Sequence, residues 1–303
     1  MKPDEIVIRN LQFLLRTYDD EKKTLAKAKQ RLKAMIPEAE EKHQEHIKAF
    51  ESEKGKLSRE IEKTLEYWDV WTSWAKHVPG IGPFIAGNLI ILFYYRFIAV
   101  CQKCGADLLK KEAKKNGDDE DENGNAGGFY CSICGKTAKG DGIIKTRIEE
   151  KDFPNVSKWW AYLGEHNDAE TGRMVRRKKG KQSNWSSLGR NISWQIGESI
   201  NKCPACIHCG KSSPKSKKNP CKCGRYKPEH LYNAHYWSFI QKKKKHFDAI
   251  RRTRKLFLSH FWHVGRELEG KSTVGPYADV VLQHTGIIAP YYFESKKEEK
   301  KAA

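Results

Sequence analysis

Cysteine is the residue type in this chain whose spacing most directly suggests chemistry. There are nine. Cys101-Gln-Lys-Cys104-Gly and Cys131-Ser-Ile-Cys134-Gly share the form Cys-x-x-Cys-Gly. A knuckle of this form can turn two thiolates toward one metal, and its glycine eases the bend. Two knuckles complete a four-thiolate structural site and leave no open position for catalysis. Zn²⁺ is the expected metal, with iron as the alternative. A second pattern, Cys203-Pro-Ala-Cys206-Ile-His208-Cys209-Gly and then Cys221-Lys-Cys223-Gly, offers five thiols and one imidazole to four positions. Cys206, Cys209, Cys221 and Cys223 are the preferred set, and Cys203 could replace one of them. The expectation is two structural zinc sites. An odd cysteine count and a start lacking a signal-peptide apolar region favour metal binding in a reducing, cytoplasmic setting over disulfides.

The next group of residues suits an anionic ligand. Val78-Pro79-Gly80-Ile81-Gly82-Pro83 precedes Phe84-Ile85-Ala86-Gly87-Asn88-Leu89-Ile90. Gly80 and Gly82 suit a tight turn with φ > 0, and Pro83 suits the first position of a helix on which Ala86, Leu89 and Ile90 pack. This reads as a helix-hairpin-helix, whose loop amides and helix start can hold a phosphate oxygen without reading a base. The plainer alternative is a Gly/Pro turn between two core helices. Further along, Arg173, Arg176, Arg177, Lys178, Lys179 and Lys181 fill a loop suited to backbone phosphates. Thr171 and Ser183, with Ser186 and Ser187, bring hydroxyls to the same loop. In a basic loop such hydroxyls usually bond phosphate or cap a helix.

The overall charge agrees with such a partner. Lys+Arg number 57 against 38 Asp+Glu, a formal net charge of +19. That balance favours nucleic acid over a membrane surface. The most apolar run, Leu89 to Val100, is interrupted by Arg96 and is too short to span a bilayer.

The positioning elements are read as mainly α. Residues 1–66 form a helical hairpin or coiled coil broken at Pro37, and 67–100 the helix-hairpin-helix, with Tyr67, Trp68, Trp71 and Trp74 as its core-facing first helix. A zinc-ribbon insertion occupies 101–150, and the acidic, Gly-rich stretch 116–124 is the tip between its knuckles. Residues 151–200 carry a buried helix ending at Gly164, the basic loop, and a helix through Ile192, Trp194, Ile196 and Ile200. The second zinc insertion is 201–226. Residues 227–295 form the C-terminal helical part, with Arg251, Arg252, Arg254 and Lys255 along one face of a long amphipathic helix, and 296–303 is a charged, disordered tail.

Taken in order, the hairpin, Trp160-Ala161-Tyr162-Leu163-Gly164, the basic loop and Ile192-Ser193-Trp194-Gln195-Ile196-Gly197-Glu198-Ser199 resemble the C-terminal domain of the insertion-sequence-110 transposases. Arg254-Lys255-Leu256-Phe257-Leu258-Ser259-His260-Phe261-Trp262 looks like the closing helix of some members. The resemblance covers roughly residues 67 to 290, interrupted by the two cysteine-bearing segments, with a preceding coiled coil. It implies a part in DNA transposition or recombination, binding to DNA and to a structured guide RNA, and nucleoid association. The chain departs from the family in two ways. It contains no RuvC-like segment with its acidic metal ligands, so the resemblance implies a separate RuvC-like subunit. Where the family has Ser-Gly ahead of the basic loop, its serine the proposed nucleophile, this chain has Thr171-Gly172, with Ser183, Ser186 and Ser187 as substitutes; a hydroxyl needs a base to become a nucleophile, and none stands at a readable spacing. The N-terminal helices would join copies into a homo-oligomer or dock that subunit. The alternatives are an active strand-transfer enzyme using Thr171 or a nearby serine, and a structural protein docking an acidic partner.

Overall fold

The computed structural model describes residues 3–34, 37–110, 129–134, 137–138, 145–177, 183–202, 231–242, 245–273 and 289–291. They are mainly helical, as expected, and divide into two compact units, residues 1–91 with 153–303, and residues 92–152.

In the first unit, α1 (Glu5–Lys33) starts where the Asp4 carboxylate accepts from Val7 N–H at 2.9 Å. This cap satisfies one of the amides that a helix start leaves without a partner. α1 packs against α2 (Pro37–Leu65). Leu11, Leu14, Leu15 and Leu25 are buried on one helix and Leu57, Ile61 and Leu65 on the other. Lys29 pairs with Glu51 across them at 2.5 Å. Ile6 and Phe13 lie outside this seam and are exposed, which accounts for its irregular apolar spacing.

The aromatic stripe that follows is core. Trp68, Trp71 and Trp74 are buried, whereas Tyr67 is exposed. The segment is a π-helical turn, Val70–Trp74, running into a 3-10 turn, Ala75–His77, and not the regular α-helix expected from its spacing. The Trp74 ring stacks on Phe257 at 5.3 Å, and its Nε1–H donates to Pro290 O at 2.9 Å, so one large side chain is held on both its apolar and its polar sides. α3 (Pro83–Tyr94) follows the glycine turn and has Pro83 as its first residue. Ala86, Leu89 and Ile90 are buried, and a Cβ at Gly87 would come within 2.9 Å of Leu15 Cδ2.

α4 (Val156–Tyr162) is capped by Asn155, which accepts from Lys158 N–H at 2.9 Å, and the chain turns away at Gly164 with φ +71. α5 (Ser187–Lys202) starts where Ser186 Oγ accepts from Gly189 N–H at 3.0 Å. α6 (Leu231–Gln241) and α7 (His246–Leu268) complete the unit. α4, α5 and α6 all pack on α7, where Phe257, Leu258, Phe261 and Trp262 are buried. Two positions depart from the expected pattern. Trp194 on α5 is 40% exposed, while Arg254 on α7, read with Arg251, Arg252 and Lys255 along one face, is buried.

In the second unit, β1 (Tyr95–Ala99) pairs antiparallel with β5 (Thr146–Glu150), Tyr95 opposite Glu150 and Ala99 opposite Thr146. A small antiparallel sheet joins β2 (Leu109–Lys110), β3 (Phe129–Tyr130) and β4 (Thr137–Ala138) in that order. Among the described residues, no helix is long and apolar enough to cross a membrane. The acidic stretch 116–124 and the tail 296–303 lie outside the described residues.

Candidate nucleic-acid interface and metal cluster

The turn before α3 is set by one glycine. Gly80 has φ +89, and a Cβ there would lie 3.0 Å from the backbone of Ser199 and Ile200, so the loop passes directly against the C-terminal part of α5. Only glycine fits both the sign of φ and the contact. Gly82 is different. Its φ is not positive, and nothing lies within 4 Å of a Cβ placed there, so the expectation of a second left-handed glycine is corrected. Ile81 N–H returns to Val78 O at 3.1 Å and Ala86 N–H to Gly82 O at 3.0 Å. The amides of the first turn of α3 face out of the helix start, as at any helix N-terminus.

These groups open onto a depression of about 550 Å³ lined by the loop, by Tyr18 and Lys22 of α1, Ser58 of α2, Lys76, and Gln195 and Ser199 of α5. Lys22 Nζ donates to Gln195 Oε1 at 3.3 Å and lies 5.3 Å from the centre of the Phe84 ring. Lys76 faces Glu66 at only 3.9 Å. The loop therefore has two ammonium groups from separate elements beside it, and the contribution of α1 was not legible in the sequence.

The basic loop borders a larger groove of about 940 Å³. Its near wall is a short hairpin in which Asn167 bridges Met174 and Asp168 N–H donates to Arg173 O at 2.7 Å. Asp168 Oδ1 accepts from Thr171 N–H at 2.9 Å, from Glu170 N–H at 3.2 Å and from the Thr171 hydroxyl at 3.1 Å. A carboxylate thus meets the Thr171 hydroxyl, where the sequence offered no base, although the same oxygen also holds the turn together. The Ser183 hydroxyl donates to Trp185 O at 3.3 Å and lines the same groove. Arg173, Arg176 and Arg177 are exposed along it. Lys178, Lys179 and Lys181 lie outside the described residues.

At its inner end, Trp185 packs on Gly164, where a Cβ would be 3.0 Å from Trp185 Cδ2. The Arg190 guanidinium sits 4.8 Å from the Trp185 ring centre and donates to Val175 O at 2.7 Å and Gly164 O at 3.3 Å. Arg177 approaches the same ring at 5.7 Å and also reaches Ser187 Oγ.

Beneath this wall lies a pair that the sequence did not disclose. Glu165 Oε2 accepts from Arg254 Nη2 at 2.9 Å, and Glu165 Oε1 accepts from the Ser193 hydroxyl at 2.7 Å. Arg251 Nη2 reaches Asn167 Oδ1 from the same helix as Arg254. The available signal was an acid placed immediately after the terminating glycine of α4, with a row of arginines on α7 to meet it.

In the second unit the knuckle cysteines come together as expected. The sulfurs of Cys101, Cys104, Cys131 and Cys134 all lie within 4.8 Å of one another, and the Cys104 and Cys131 sulfurs are 3.5 Å apart. Gly105 has φ +73, the conformation needed to turn the chain back after Cys104. Tetrahedral zinc with Zn–S bonds of about 2.3 Å separates its sulfurs by about 3.8 Å, so the cluster has the right scale. The Cys101 thiol is drawn down to about 6, chiefly by the backbone N–H groups of Cys104 and Lys103 directed at its sulfur. The Cys134 thiol is pushed up to about 12, first by hydrogen bonding with Cys104 and then by burial. Four thiols this close cannot all ionise unless a cation joins them. Cys203, Cys206, His208, Cys209, Cys221 and Cys223 lie outside the described residues.

No family model, curated protein or solved structure matches this chain.

Proposed function

We propose that the protein binds the sugar-phosphate backbone of nucleic acid and acts in DNA transposition or recombination, as its resemblance to the insertion-sequence-110 transposases implies. The observation that carries this reading is the convergence of Lys22 and Lys76 on the loop at Gly80, beside the start of α3, where the helix leaves the amides after Pro83 without an intrahelical carbonyl. Amides at a helix start beside two ammonium groups favour a phosphate oxygen and read no base. The turn and α3 act as the second half of a helix-hairpin-helix, and Arg173, Arg176 and Arg177 extend the track. The +19 formal charge supplies attraction over a longer range. DNA is the expected ligand, with a structured guide RNA and a separate RuvC-like subunit completing a recombination machine. Zn²⁺ at Cys101, Cys104, Cys131 and Cys134 stiffens the second unit, and a second zinc is held by four of the remaining cysteines. The α1–α2 hairpin joins copies of the chain or docks the subunit.

The test is to purify the full chain at moderate salt, extract the nucleic acid that travels with it and sequence it. A discrete structured RNA or a defined DNA end supports the reading. A purified chain that binds neither duplex DNA nor structured RNA at low salt removes it.

A second reading, strand transfer through Thr171, is favoured by the 3.1 Å contact between its hydroxyl and Asp168. In that reading the carboxylate takes the hydroxyl proton as the threonine oxygen bonds to phosphorus, while one P–O bond of the phosphodiester breaks and its sugar oxygen leaves as a hydroxyl, taking its proton from water. It requires a covalent protein–DNA adduct that disappears in Thr171→Ala, and cleavage that persists in that variant excludes it.

A further inference from the structure

The groove beside the 167–174 hairpin combines features that a simple phosphate track does not need. Its lining includes an aromatic ring: Trp185 is backed by Gly164, Arg190, fixed by two carbonyl oxygens, stands 4.8 Å from the ring centre, and Arg177 approaches the same ring at 5.7 Å. Its rim carries exposed Arg173 and Arg176. Among the described residues one acidic side chain lines it, Asp168, whose Oδ1 accepts from three donors of its own turn. His166 Nδ1, on the same lining, is buried and has no hydrogen-bond partner among the described residues.

We propose that this groove receives an unpaired nucleotide, its base set against Trp185 and its flanking phosphates on Arg173 and Arg176. This rests on the nucleic-acid reading above and narrows it. In a duplex each base is covered by its stacked neighbours and its pairing edge is occupied. An unpaired or extruded nucleotide can offer a ring face to a tryptophan at the inner end of a groove. Every base has such a face, so the site is tolerant of sequence. Asn184, exposed on the same lining, stands to meet polar base edges.

The test uses the full chain, with labelled mixed-sequence single strands in deoxy and ribo forms and a blunt duplex of equal length, followed by fluorescence anisotropy. Trp185→Leu is expected to weaken single-strand binding about tenfold, as loss of one base–aromatic stack does, and to change duplex binding less than about twofold. Arg176→Glu, at an exposed site, covers the case in which Trp185→Leu loosens the fold, and is expected to weaken single-strand binding at least about threefold more than duplex binding. Preference for the deoxy or the ribo strand identifies the source of the nucleotide. Equal losses on single strand and duplex in both variants overturn the proposal and leave backbone binding standing. Absence of binding to any of these ligands by the unaltered chain overturns the proposal together with the reading it rests on.

Discussion

The Glu165 carboxylate and the Arg254 guanidinium meet at 2.9 Å in the interior, with side chains 0% and 3% exposed. Glu165 follows the glycine that ends α4, Arg254 lies mid-way along α7, and Ser193 of α5 donates to the second carboxylate oxygen at 2.7 Å. One ionic group thus ties the turn after α4 to α5 and α7 beneath the wall of the basic groove. α5 and α7 come close enough for this because Gly197 has no side chain: a Cβ there would lie 2.5 Å from Ile250 Cγ2.

Removing one partner of this pair leaves a buried charge uncompensated. Arg254→Met is expected to lower the unfolding free energy by about 3–5 kcal/mol, and Glu165→Gln with Arg254→Met together by markedly less. Urea denaturation of the two variants checks this. A double variant no more stable than Arg254→Met alone contradicts the pairing.

The two glycines of the hairpin loop should respond in opposite ways. Gly80→Ala forces a left-handed residue against the α5 backbone and should destabilise by about 1–3 kcal/mol. Gly82→Ala meets open space and should stay within about 0.5 kcal/mol. Thermal midpoints measured side by side decide the matter, and equal losses at both positions would refute this geometry.

Acid should weaken the first unit through His235. Its ring is drawn down to about 4, by burial first and by the Arg252 cation second, while Nδ1 lies 3.2 Å from Thr253 Oγ1. The unfolded chain therefore takes up this proton near 6.5 and the folded chain only near 4, so the contribution is complete above about pH 6.5 and declines as the pH falls through that window. His235→Gln should flatten that part of the stability–pH curve. An unchanged slope between pH 6.5 and 4 contradicts it.

Metal loading of the second unit should depend on all four knuckle cysteines. Cys104→Ser is expected to remove one equivalent of Zn²⁺ per chain and to reduce the protons released on loading. Metal analysis after dialysis measures the first and a weakly buffered titration the second. Full metal content in that variant counts against the four-thiolate site.

What the sequence disclosed followed the strength of local constraint. Cys-x-x-Cys-Gly spacing restricts a thiol pair so closely that the meeting of both knuckles could be foreseen from residues 101–134 alone. Pro83 as a helix start and the burial of Ala86, Leu89 and Ile90 were legible for a similar reason, since both are set within a turn or two of chain. Gly82 could not be told from Gly80, because a Gly-x-Gly pattern does not say which glycine carries the positive φ. Nothing local sets Arg254 apart from Arg251, Arg252 and Lys255 on its helix, because its partner lies 89 residues earlier in the chain. Lys22 at the hairpin and Asp168 at Thr171 became visible only once folding had brought α1 to the loop and closed the 167–174 turn.

The most direct test of the central claim is the salt dependence of duplex DNA binding by the full chain, compared with Lys22→Gln plus Lys76→Gln. The unaltered protein should lose affinity linearly on a log–log plot with salt, and the double variant should bind more weakly with a slope shallower by about two, one for each phosphate contact removed. Binding that is insensitive to salt, or a slope unchanged by the double substitution, contradicts a phosphate site at the Gly80 loop.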